Sequence, residues 1–226
     1  MNLVPAASCV GLLFMMMVGM AAGESIPLGR DQALLAAAER NDVAEARRLL
    51  NEGAGLQARD AQGHTALMIA TYRNHVEMAA LLIQAGADVN AQDAMQNSPL
   101  LLAGASGYLE ILRLALQANP DFKVYNRYGG TALIPACERG HVEVVKALLK
   151  TKIDVNHVNR LGWTALLEAI ILGDGGANHQ AIVRMLVAAG ADLNLADSDG
   201  VTPLRHARQK GYTAIVETLQ SAGARE

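Results

Sequence analysis

The residues able to do chemistry are six histidines, one cysteine in the body of the chain and scattered carboxylates, and their spacing decides what each could do. A helical zinc pair needs two histidines four residues apart, and His64, His75, His141, His157, His179 and His206 contain no such pair. Asp174, Asn178 and His179 lie close together in sequence, but a glycine-rich loop with one carboxylate is a poor ligand set for a divalent cation. Asp197 and Asp199 belong to an Asp-Ser-Asp-Gly turn, where an aspartate bonds its own backbone rather than serving as a general acid or base. Cys137, in Ile134-Pro-Ala-Cys-Glu138, reads as a small packed thiol and not as a nucleophile. Neither Gly-x-Ser-x-Gly nor a phosphate-binding Gly-x-x-x-x-Gly-Lys-[Ser/Thr] occurs. No catalytic residue, metal ligand or cofactor is therefore expected, and attention moves to the elements and the surface they present.

The chain has 226 residues, 51% hydrophobic and 18% charged, with a formal net charge of -3. That balance argues against an overall basic nucleic-acid binder and against a charge-rich disordered chain. Aromatic residues make up only 4%. A core of Ala, Leu and Val suits helices whose axes approach closely, which predicts a helix-rich fold.

One segment recurs through the chain: His64-Thr-Ala-Leu-Met, Asn97-Ser-Pro-Leu-Leu, Gly130-Thr-Ala-Leu-Ile, Trp163-Thr-Ala-Leu-Leu and Val201-Thr-Pro-Leu-Arg. Its hydroxyl residues, Thr65, Ser98, Thr131, Thr164 and Thr202, are spaced by 33, 33, 33 and 38 residues. A second series, Gly86-Ala-Asp-Val-Asn, Asn119-Pro-Asp-Phe-Lys, Lys152-Ile-Asp-Val-Asn and Gly190-Ala-Asp-Leu-Asn, keeps step with the first. A third places His75, His141 and His179 at one position.

These three series in one register resemble the ankyrin repeat family, whose unit is a hairpin-like turn followed by two antiparallel helices. The resemblance runs from Arg30 to Glu226 and implies an all-α repeat solenoid of about six helix pairs. It also implies a structural role for the histidines that open the second helices. Each element has a physical reading. Thr or Ser caps the first helix, and Pro99 and Pro203 stand at its first position, where no donor is lost. The second helix carries an apolar stripe such as Val142, Val145, Leu148 and Leu149. Gly86 or Gly190 ends it, and Asp and Asn organise the turn. The first and last pairs carry more charge, as terminal modules with one face in water should.

Several positions depart from the family pattern. The usual His of the first helix is replaced by Met68, Leu101, Ile134, Leu167 and Arg205, so apolar packing is expected in four repeats. Pro135, at the fourth helical position, removes the first intrahelical bond. Lys152 and Asn119 stand where Gly is preferred. The five residues Asp174 to Asn178 are an insertion expected to lengthen the loop between two helices.

Residues 1–23 read as a signal peptide. Leu3 to Ala22 is uncharged, with an apolar centre from Val10 to Met20, and Ala21-Ala-Gly23 offers small side chains for cleavage before Glu24. No Lys or Arg precedes the apolar run, and its length approaches a bilayer span, so an uncleaved membrane anchor is the alternative. Cys9 precedes most of that run, which argues against a lipoprotein, and its removal would leave Cys137 without a disulfide partner. The expectation is an exported chain with a repeat domain over 24–226: periplasmic in a bacterium, otherwise secreted or, with the anchor retained, fixed in the inner membrane. Membrane contact is expected only in the last case.

The resemblance further implies that turn tips and first helices form a concave face that binds a protein. No nucleic acid and no small-molecule substrate are expected. By register, the partner-binding candidates are Tyr72, Arg73, Met95, Arg127, Tyr128, Arg139, Arg160, Leu161 and Trp163, residue types enriched at binding hot spots. The competing reading is that Leu161 and Trp163 only pad neighbouring turns.

Overall fold

The computed structural model describes residues 29–226, so the leader or anchor expected over 1–23 lies outside the described residues. Among the described residues twelve helices follow one another as six pairs: α1 (Arg30–Arg40) with α2 (Val43–Asn51), α3 (Ala66–Tyr72) with α4 (Val76–Gln84), and α5 (Pro99–Ser106) with α6 (Leu109–Gln117). Then come α7 (Leu133–Glu138) with α8 (Val142–Leu148), α9 (Ala165–Ile171) with α10 (Ala177–Ala188), and α11 (Pro203–Gln209) with α12 (Thr213–Ser221). No strand occurs among the described residues, and none of their helices is long and apolar enough to cross a membrane.

First helices pack on first helices and second on second, each element meeting its partner and its immediate neighbours along the stack. One continuous core results, built from Leu34, Leu67, Leu100, Leu133 and Leu166 in one layer and Met78, Ile111, Leu148 and Ile182 in the other. Small residues set the spacing. A Cβ on Gly104 of α5 would lie 2.9 Å from the Cβ of Ala132, so that contact excludes any larger side chain. Met68, Leu101, Ile134 and Leu167 are all buried, the apolar replacement expected for the missing histidine.

The caps follow the sequence in four repeats out of five. Oγ of Thr65, Ser98, Thr164 and Thr202 accepts the backbone N–H three residues on, at 3.2 to 3.3 Å. Thr131 is the exception and corrects the general capping expectation. In the capped repeats the residue four past the hydroxyl donates its N–H to the carbonyl of the cap, as Glu168 does to Thr164 at 2.9 Å. At that position Pro135 has no N–H to give. The helix starts one residue later, at Leu133, and Thr131 Oγ1 is left buried without a hydrogen-bond partner.

Three further differences have local causes. The insertion does not only lengthen a loop: Ala177 and Asn178 join α10, which at twelve residues is the longest of the described helices. Lys152 avoids the left-handed backbone that Gly86 and Gly190 adopt. There α8 stops at Leu148, and the Thr151 hydroxyl donates to the Leu148 carbonyl while accepting the N–H of Ile153. Asn119 does take the left-handed conformation, at φ 51°. Finally, the buried stripe of α8 is Val144, Val145 and Leu148, with Val142 and Leu149 only partly covered.

Candidate functional site

Each hairpin is organised by one acid or amide, five residues before the capping position: Asp60, Asp93, Asn126, Asn159 and Asp197. Its Oδ1 accepts two backbone N–H groups, as Asp93 does from Met95 at 2.8 Å and Asn97 at 2.9 Å. Asn126 and Asn159 do the same at 2.9 to 3.0 Å. One atom of the side chain is thus spent on the turn, and the other is free for a neighbour.

What that second atom meets varies along the stack. Asp60 Oδ2 lies 2.8 Å from His64 Nδ1, and Asp197 Oδ2 lies 2.6 Å from His206 Nε2. Burial works to raise both acids, but the backbone N–H groups and the imidazoles outweigh it and hold them below the usual carboxylate range. Asp93 Oδ2 accepts the Tyr72 hydroxyl at 2.7 Å, and burial together with that carboxylate pushes the phenol up to about 12. Asn159 offers a donor instead, and its Nδ2 gives a 2.8 Å bond to Glu168 Oε1.

The histidines at the shared position tie repeat to repeat. His75 lies 3.1 Å from the Ala38 carbonyl, His141 lies 3.2 Å from that of Ala105, and His179 lies 2.9 Å from that of Glu138. His179 also holds Asp174 of the insertion at 2.7 Å. Cys137 is fully buried, and burial followed by the nearby Glu168 charge pushes its thiol well up, away from nucleophilic reactivity. Among the described residues no group of three or more His, Cys, Asp or Glu is placed to hold a metal ion.

A groove of about 560 Å³ opens across the hairpins and first helices between α5 and α9. Asn126, Asn159 and Glu168 line it together with Arg127, Tyr128, Glu138, Arg139, Leu161 and Leu172. Tyr128 and Leu161 are each 49% exposed, unusual for side chains of that size and apolar content. Arg127 lies over the Tyr128 ring at 4.8 Å, and Arg139 Nη1 donates to the Ala105 carbonyl at 2.8 Å.

Of the nine candidates, the structure brings Arg127, Tyr128, Arg139 and Leu161 together in this groove. Tyr72 and Arg73 line a separate hollow with Glu39, Asp60 and His64, where Arg73 pairs with Glu39. Arg160 lines a third, with Tyr125 and His157, and its Nη1 donates to the Arg127 carbonyl at 3.0 Å. Met95 is exposed and Trp163 half-buried, and neither lines these three hollows. Glu168 and Asn159 were not singled out by sequence. The available signal was the register: Glu168 shares its position with Ile69, Leu102, Pro135 and His206, and is the carboxylate among them.

The family model for ankyrin repeats in three copies matches residues 6–93, 100–197 and 159–225, and a second ankyrin model matches 73–116. The chain belongs to the ankyrin repeat family. A crystal structure of an ankyrin repeat domain from Acinetobacter baumannii AYE is 56% identical, with a TM-score of 0.84 over 85% of this chain and 98% of that one. The ankyrin repeat protein EF0377 is 41% identical, with a TM-score of 0.83 over 88% of this chain and 100% of that one. The ankyrin repeat domain of Bcl-3, a member of the IkappaB protein family, is 26% identical, with a TM-score of 0.77 over 85% and 86%. YahD of Escherichia coli (strain K12), also named for ankyrin repeats, is 49% identical over 57 residues, a match spanning 25% of this chain and 28% of that protein. Ankyrin repeats are generally protein-interaction modules and non-catalytic scaffolds.

Proposed function

We propose that this chain is an exported, non-catalytic binding module that grips a protein partner through the concave face of the stack, at the groove between α5 and α9. The observation that carries this reading is the pairing of large exposed side chains, Tyr128, Leu161 and Leu172, with guanidinium groups that form no ion pair among the described residues. Such a surface supplies apolar anchors and directed donors on a rigid frame, the combination found at hot spots. Arg127, Tyr128, Arg139 and Leu161 are the contact residues assigned here, with Trp163 and Arg160 flanking them in sequence.

A photo-crosslinking residue at Tyr128, expressed in the native host, is expected to capture a partner that the same residue at Arg113 on α6 does not. Against that purified partner, the Tyr128→Ala, Leu161→Ala double variant should lose at least about 30-fold in affinity, roughly 2 kcal/mol, with its helical content unchanged. Capture from Arg113 alone, or unaltered affinity, removes the reading. Export is tested apart from binding, since N-terminal sequencing of protein purified from the native host should begin at Glu24, and a chain retaining residues 1–23 would favour the membrane-tethered scaffold.

A further inference from the structure

The floor of the groove holds a carboxyl that the rest of the protein leaves half satisfied. Glu168 is only 5% exposed, yet it lines the groove. Oε1 accepts the 2.8 Å bond from Asn159, while Oε2 has no hydrogen bond and neither oxygen meets a cation among the described residues. Glu138 comes to the same groove from α7, also without an ion pair. The nearby arginines are engaged elsewhere: Arg139 on the Ala105 carbonyl, Arg127 on the Tyr128 ring, Arg160 on the Arg127 carbonyl.

We infer that this floor receives a basic side chain of the partner, a lysine or arginine whose cationic head meets Glu168 Oε2 and Glu138 while its stem lies between Tyr128, Leu161 and Leu172. The inference rests on the groove being the partner-binding face and names what that face selects. Charge complementarity decides the occupant. An acidic segment would set its own carboxylates against two others, and a metal ion would find too few ligands. A lysine or arginine stem suits apolar walls and carries its charge to the bottom. The arginines at the rim keep further N–H groups, beyond the contacts they already make, to donate to the carbonyls of the same segment.

Three elements carry titratable or charged groups and pack against α9, and of those groups Glu138 is the one whose charge acts on Glu168. On α7 and its end these are Cys137, Glu138 and Arg139, on α10 His179 and Arg184, and on α11 Arg205, His206 and Arg208. His179 and His206 are engaged by Asp174 and Asp197. Burial, and after it the Glu138 charge, push Glu168 up to about 7. An arriving cation favours the ionised form, so binding releases a proton and strengthens as pH rises. With half-ionisation near pH 7, the ionised share grows from about one tenth at pH 6 to about nine tenths at pH 8, and affinity should rise up to about tenfold.

The test uses Nα-acetyl-L-arginine amide and its uncharged analogue Nα-acetyl-L-citrulline amide on the isolated protein, followed by the NMR signal of the Asn159 side-chain amide. A saturable millimolar response to the arginine probe alone is expected, strengthening about tenfold from pH 6 to pH 8, with both features lost in Glu168→Gln. Equal response to citrulline, no response to either probe, or undiminished arginine binding by a folded Glu168→Gln variant overturns the inference. Should that variant not fold, the two probes on the unaltered chain decide alone. Micromolar affinity for the free probe would overturn the partner side chain in favour of a small cationic ligand. Partner capture at Tyr128 without an arginine response would remove this inference and leave the groove reading in place.

Discussion

Asp93 and Glu168 are both buried acids near hairpins of the stack, and they differ in what surrounds them. Asp93 is surrounded by donors: two backbone N–H groups on Oδ1, then the Tyr72 hydroxyl on Oδ2. Asn97 Nδ2 stands 3.5 Å and His64 Nε2 3.7 Å from that second oxygen. Glu168 has one amide and faces Glu138. The first arrangement satisfies a charge in order to shape a turn. The second leaves capacity at a surface, an acceptor oxygen that faces the groove and has no donor from the protein.

The largest effect should come from emptying the satisfied site. Asp93→Ala strands the N–H groups of Met95 and Asn97 and the Tyr72 hydroxyl, and should cost about 3 kcal/mol in urea unfolding. A loss under about 1 kcal/mol would mean that water replaces the carboxylate. Glu168→Gln should act in the opposite direction. A carboxyl raised on folding from its ordinary 4.5 to about 7 penalises the folded state only where it must ionise. The unaltered protein thus loses stability as pH rises from about 4.5 to about 7, and the penalty is constant above that. The variant should be about 2 kcal/mol more stable than the parent at pH 8 and no different at pH 4, which paired unfolding curves will measure.

A smaller contrast separates two threonines. Thr164→Val removes a working cap and should cost about 1 kcal/mol, while Thr131→Val, at a hydroxyl with no partner, should cost nothing or stabilise slightly. Equal losses would show that Thr131 finds a partner in solution. The smallest effect is expected at Lys152. Family preference would have Lys152→Gly stabilise, but the backbone there is not left-handed, and the change should cost a few tenths of a kcal/mol in thermal unfolding.

The repeat architecture was legible because five of the six described units carry the same hydroxyl and, five residues before it, a turn acid or amide, local signals that need no tertiary context. Pro135 was legible for the same reason, since a missing N–H has a fixed address. The insertion was not. Whether Ala177 and Asn178 belong to loop or helix depends on His179 being held at once by Asp174 and by the Glu138 carbonyl, both decided across the stack. How the chain manages without glycine at Lys152 was not legible, because the Thr151 hydroxyl supplies a turn that glycine supplies elsewhere. Glu168 escaped because Leu166-Leu-Glu-Ala169 reads like any helix with a glutamate turned to water; only the Asn159 amide reaching back from the hairpin shows that it points inward. The nine surface candidates came from register alone, and register does not say which tips share a hollow.

Because the described helices lean chiefly on their partners and immediate neighbours, no substantial contact among the described residues joins the first module to the last. A tilt of a few degrees at one junction is therefore carried by all the modules beyond it, as along the arm of a lever. The curvature of the described stack is thus the sum of its junctions, each set by the small side chains that meet there, such as Gly104 against Ala132.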